Sequence, residues 1–129
     1  MAVTHSTAAR NAATDAVTAL IGASGKLKFR LTGTVGVPGT AVATLSLSAT
    51  AFGASSTGTA TANAITSDTN ATGNAGAVAT ATLETSGGTV HIHCAVAASA
   101  SDINMTNGLV VANGDTVSCS SLTYTALPG

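Results

Sequence analysis

The chain is expected to fold as a mainly β protein, an antiparallel, jelly-roll-like β-sandwich carrying one N-terminal α-helix. Three observations predict this. Apolar spacing follows a helical period up to Gly22 and changes to a period of two from Lys26 onward. The composition is rich in small and β-branched residues, with 27 alanines and 23 threonines among 129 residues, and β-branched side chains suit a pleated surface. Turn signals recur between short alternating segments, as in sandwiches and barrels. Residues 1–25 therefore read as an arm and helix and residues 26–129 as the sandwich, together one domain.

The helix is expected over residues 6–21. Ser6 or Thr7 can accept an orphan backbone N–H at its start, and Gly22 can close its end in a left-handed conformation. Ala9, Ala13, Val17, Leu20 and Ile21 form an apolar stripe, with Arg10, Asn11, Thr14, Asp15 and Thr18 largely opposite. A helix of this length is marginal alone in water, so the stripe is expected to dock.

From Lys26, Leu27, Phe29 and Leu31 alternate with Lys26, Lys28, Arg30 and Thr32. Three of the four cations thus share one strand face, which predicts either a solvated, lysine-blunted edge strand or a contact for an acidic partner. A Gly- and Pro-containing loop over 33–39 precedes a strand over 42–49, then a short strand over 58–64 and an exposed turn-rich loop over 65–74. Strands over 78–84 and 89–96 flank Gly87-Gly88, a hairpin signal. Asn107-Gly108 and Asn113-Gly114 bracket Leu109–Val111. The last strand, 116–126, changes phase between Cys119 and Leu122, which predicts a bulge.

Val, Leu, Ile and Phe number only 26. Net charge is −1, so the disorder expected of a highly charged chain does not follow. The reading is a folded domain short of core, which gains burial by oligomerising or docking on a larger assembly. Four basic residues provide no footprint for nucleic acid, and Phe29, Phe52 and Tyr124 are too few for base stacking. No apolar run approaches the roughly 20 residues of a membrane helix. Met1 to Ser6 lacks a signal-peptide pattern, so synthesis in a cytoplasm is expected, with Cys94 and Cys119 reduced and buried.

His91-x-His93 is the most suggestive chemical pair, because residues two apart on a strand project to one face about 7 Å apart. A metal would need a third ligand from Asp102, Glu84 or His5, none of them adjacent in sequence. The expectation is no metal, no cofactor and two outward polar residues, which at a subunit contact would make it pH-sensitive. No nucleophile elbow, catalytic carboxylate pair or phosphate loop is present in the sequence. An enzyme is not expected and no catalytic residue is assigned.

Four segments together carry a family resemblance. They are Ser6 to Val17; Ala41 to Ser48 running into Ala51-Phe52-Gly53; Thr59 to Thr69; and Ser101 to Met105 through Gly114 to Ser118 to Ser121–Thr125. In order and spanning nearly the whole chain, they resemble a family of small proteins encoded in the structural gene clusters of tailed bacteriophages. The chain departs from that pattern at Val35–Thr40 and at His91-Ile92-His93-Cys94. The resemblance implies a virion structural component assembled in the host bacterial cytoplasm, foremost a capsid decoration (cement) protein that stabilises the head. Its implied partners are the major capsid protein or other virion proteins and further copies of itself, as a trimer, with no nucleic acid and no membrane. The alternatives are a tail, fibre or adaptor component and a carbohydrate- or metal-binding module. Candidate partner contacts are Lys26, Lys28 and Arg30, a cationic strand face, and His91 with His93.

Overall fold

A computed structural model describes residues 3–127; Met1, Ala2, Pro128 and Gly129, the outermost residues of the expected arm and sandwich, lie outside them. The chain is mainly β, with one helix, a curled mixed sheet of five strands and a two-stranded ribbon. The elements are α1 (Thr7–Ile21), β1 (Lys26–Arg30), β2 (Ala41–Ser46), β3 (Thr59–Thr61), β4 (Thr80–Glu84), β5 (Val90–Ala97), β6 (Ile103–Asn104) and β7 (Thr123–Thr125). The larger sheet runs β2-β1-β4-β5-β6, and β3 pairs with β7. Every pairing is antiparallel except β5 with β6, so the sheet departs from the all-antiparallel expectation at that edge.

Ser6 caps α1, its hydroxyl accepting the Ala9 N–H at 3.1 Å, and Gly22 ends it at φ 69°. The docking face is the apolar stripe only in part. Thr14, Thr18 and Ile21 are buried, whereas Ala9 is exposed, Ala13 and Val17 are half-buried and Leu20 is 54% exposed. The helix is held by hydrogen bonds to the turn before β3. Thr14 Oγ1 donates to Gly58 O (2.6 Å), Gly58 N–H donates to Asn11 Oδ1 (2.7 Å), and Ser55 N–H donates to Asp15 Oδ1 (2.9 Å). Arg10 adds a bond from Nη2 to Thr57 O at 2.6 Å. Buried polar groups favour pairing, and this seam pairs donors and acceptors in both directions, leaving only Arg10 Nε of its members buried without a partner. The residues read as the solvent side are the adhesive side.

Within that turn Ser56 and Thr59 exchange both backbone hydrogen bonds, at 2.9 and 3.0 Å, across Thr57 (φ 49°) and Gly58 (φ 84°). Two positive φ values make this the primed hairpin turn that matches strand twist. Gly58 suits it; a β-branched threonine at positive φ is strained.

The alternation over β1 is as expected: Leu27 and Phe29 are buried and Leu31 is half-buried. They meet Ala43, Leu45, Ala81 and Leu83 across the register and join Ile21, Leu47, Phe52 and Val96 in one core. Five of the 17 buried apolar side chains are alanine, so the core is thin as well as small. β1 is not an edge strand, because β2 and β4 pair on either side of it. Nor is 65–74 merely an exposed loop. It runs along the outer side of β2, where Ser46 and Thr66 exchange backbone bonds and the Asp68 carboxylate accepts the Thr44 N–H at 2.8 Å.

The expected last strand is broken rather than bulged. Val117 makes an isolated bridge to Asp68 and the strand proper is only Thr123–Thr125. The register shifts occur in β1–β2, between Phe29 and Arg30, and in β4–β5, between Leu83 and Glu84. β6 had no signal in the alternation, being two residues long.

Candidate functional site

The register gathers four of the five candidate contacts, with new partners, on one sheet face. Thr44, Lys28, Thr82 and His93 form one row across β2, β1, β4 and β5; Lys26 lies opposite Glu84 and Arg30 opposite Thr80. The fifth, His91, is the extra residue at the β4–β5 bulge, since Val90 takes the place opposite Glu84.

Glu84 organises this face. Lys28 Nζ lies 2.8 Å from Oε1 and Arg30 Nη2 lies 3.1 Å from Oε2. Thr82 Oγ1 donates to Oε2 at 3.2 Å and accepts from Arg30 Nε at 3.1 Å. Arg30 Nη1 donates to Gly39 O at 2.6 Å, tying the cluster to the loop between β1 and β2. Thr82 and Glu84 are fully buried and Arg30 is 7% exposed. Burial alone would raise the Glu84 pKa, but the contacts from Lys28 and then Arg30 outweigh it and hold the carboxyl below its usual range. The β1 cations are thus largely spent inside the molecule, against the expectation of a free cationic face. Lys26 differs, its ammonium donating to Ser46 Oγ at 3.0 Å.

His91 and His93 are both half-buried, and His93 Nε2 and Thr80 Oγ1 are buried without a partner. Of the ligands considered to complete a histidine metal site, Glu84 is engaged by two cations, and Asp102 Oδ2 accepts the Ala95 N–H at 3.0 Å. Among the described residues no group of three or more His, Cys, Asp or Glu side chains is placed to hold a metal ion. Cys94 and Cys119 are free thiols, half-buried rather than buried. Burial, reinforced by Asp102, pushes the Cys94 thiol up to about 11, so it is a poor nucleophile at neutral pH.

The loop that Arg30 anchors is the one expected over 33–39. Leu31 N–H donates to Thr40 O (3.2 Å) and Thr34 N–H to Val37 O (2.8 Å), so its neck and tip are both hydrogen-bonded. The neck is narrow because two glycines meet backbone. A Cβ on Gly39 would collide with Thr32 O and one on Gly33 with Pro38 O, and both adopt positive φ, 81° and 133°. At the tip Val35 and Val37 are 53% and 73% exposed. Single exposed apolar side chains are ordinary, and Val3, Leu20 and Val110 are exposed too; the ordered neck is what sets this pair apart. The clue in the sequence was two valines between closely spaced glycines.

A cavity of about 560 Å³ opens elsewhere, between Phe29 and the 102–123 segment, lined in part by Ile103, Met105, Val111 and Leu122. It contains none of the expected contact residues. Comparison with protein-family models, curated proteins and solved structures found no match.

Proposed function

We propose that this chain is a structural protein of a tailed-phage virion, a capsid decoration protein that binds the outside of the head and strengthens it. The observation that carries the reading is the anchored loop, whose exposed Val35 and Val37 are held at the end of a glycine neck braced by Arg30. A preformed apolar tip loses little conformational entropy on docking, which favours a site repeated many times over a shell. The family resemblance of the four segments, which does not extend to this loop, supports a virion protein separately. In this reading the β3–β7 ribbon is the start of a second layer over the large sheet, giving the jelly-roll-like sandwich. The partner is the major capsid protein, with further copies of this chain beside it.

The test is co-sedimentation of the purified chain with heads of a phage that encodes it, stripped of their own copies. Saturable binding that raises the temperature at which heads release DNA is expected, with Val35→Ser/Val37→Ser losing at least tenfold in affinity. Heads that neither bind the chain nor gain stability would overturn the reading.

A further inference from the structure

The five-stranded sheet ends in an edge that is covered at only one end. β6 pairs with β5 at Val96 and Ala97 alone, and the Asp102 carboxylate takes the Ala95 N–H. Among the described residues no strand lies beside His91–Cys94 on the side away from β4. The direction of the free groups follows from the ladder. Val96 N–H donates to Ala79 O, just before β4, and the alternation of an antiparallel pair then turns Cys94 and Ile92 toward β4 as well. The His93 N–H and C=O and the His91 C=O therefore face away from the sheet.

Two further features mark this edge as a pairing surface. Between Thr89 and Cys94 it carries no lysine and no proline, and the bulge at Val90–His91 is its one protection of the kinds that blunt an open edge. The apolar face of the same strand is also unfinished. Val96 is buried where β6 lies alongside, while Ile92 and Cys94, on the same face, are only half-buried where β6 does not reach.

We propose that His91–Cys94 pairs with the same segment of a second copy, antiparallel, about a two-fold axis through Ile92. Register selects this axis. Only the outward groups of odd-numbered residues can meet, and an axis at Ile92 sets His93 N–H of each copy on His91 C=O of the other. An axis at His93 instead brings the second strand against Ala95, whose N–H Asp102 already holds, and against β6. The Ile92 axis keeps apolar face with apolar face, stacking Ile92 on Ile92, and joins two five-stranded sheets into one. The bulge at Val90–His91 limits the contact to about four residues, so the pairing is weak in dilute solution and is favoured where copies are concentrated. It does not depend on the virion reading.

The decisive variant is Ile92→Cys with Cys94→Ser and Cys119→Ser. Facing residues at such a position lie within disulfide reach, so mild oxidation should give mostly covalent dimer. Ser120→Cys in the same background, exposed and outside β5, should give far less. Equal yields from the two would overturn the proposal. Amide hydrogen exchange on the native chain gives a second reading that needs no substitution. Protection of His93 should rise at least tenfold from micromolar to millimolar concentration, and protection that does not change with concentration overturns the pairing. A dimer that fails to bind heads removes the virion reading and leaves this one standing.

Discussion

Replacing Glu84 by glutamine should unfold more of this protein than any other single-atom change. The carboxylate is 1% exposed and is the acceptor for both Lys28 and Arg30. Removing one partner of a buried pair costs about 3–5 kcal/mol, because the other charge stays buried without compensation. The lower figure applies here. Lys28 is 27% exposed and can reach water, and Arg30 keeps Thr82 Oγ1 and Gly39 O as acceptors. With about 2.1 cal/mol/K per residue, the unfolding entropy for 129 residues is roughly 270 cal/mol/K, so 3 kcal/mol lowers Tm by roughly 11 °C. Calorimetry and urea unfolding of Glu84→Gln beside the native chain measure it.

The sign of the pH dependence is fixed by the same geometry. The folded pKa of Glu84 lies below its ordinary value, so its stabilisation is present in full above the unfolded pKa and is lost as pH falls through the folded one. The native chain should therefore lead Glu84→Gln by its full margin at pH 7, and the margin should close in acid, below about pH 4. A variant within 1 kcal/mol of native at pH 7, or a margin that is unchanged at pH 3, would refute the reasoning.

Two smaller changes test the helix seam. Thr14→Val keeps the shape but leaves Gly58 O and Ala126 N–H without the hydroxyl they share, a cost of about 2–3 kcal/mol that urea unfolding should show. Thr57→Asn should stabilise by about 1 kcal/mol, since asparagine tolerates positive φ and favours this turn; an unchanged or lower Tm would mean the turn is not strained.

Period and polarity along each strand were legible because they are local properties: Leu27, Phe29, Leu45 and Leu83 point where their alternation puts them. Strand order was not. The lysines of β1 look like an edge device in isolation, and only the pairing with β4 reveals that Glu84 lies beneath them. A lone carboxylate on one strand and aligned cations on another were the available signal, but which strands lie side by side is not a local property. The helix forms where its period places it, but its docking face follows the apolar stripe only in part. Amphipathic reasoning assigns docking to the apolar stripe, but alanine has little surface to bury, so several hydrogen bonds to a fixed turn outweigh it.

That substitution of polar geometry for apolar area has a consequence for how this chain can associate. Apolar burial is non-directional and tolerates misplacement, whereas a hydroxyl seam holds only at its own distances. Thr14 joins the helix to both Gly58 and Ala126, and Thr59 Oγ1 meets Thr125 Oγ1 at 2.6 Å across the ribbon. A chain with few large side chains thereby fixes its shape without a large core. The exposed valines of the loop and the uncovered edge of β5 then sit on a frame that holds them in one orientation, which is the requirement for repeating one contact many times.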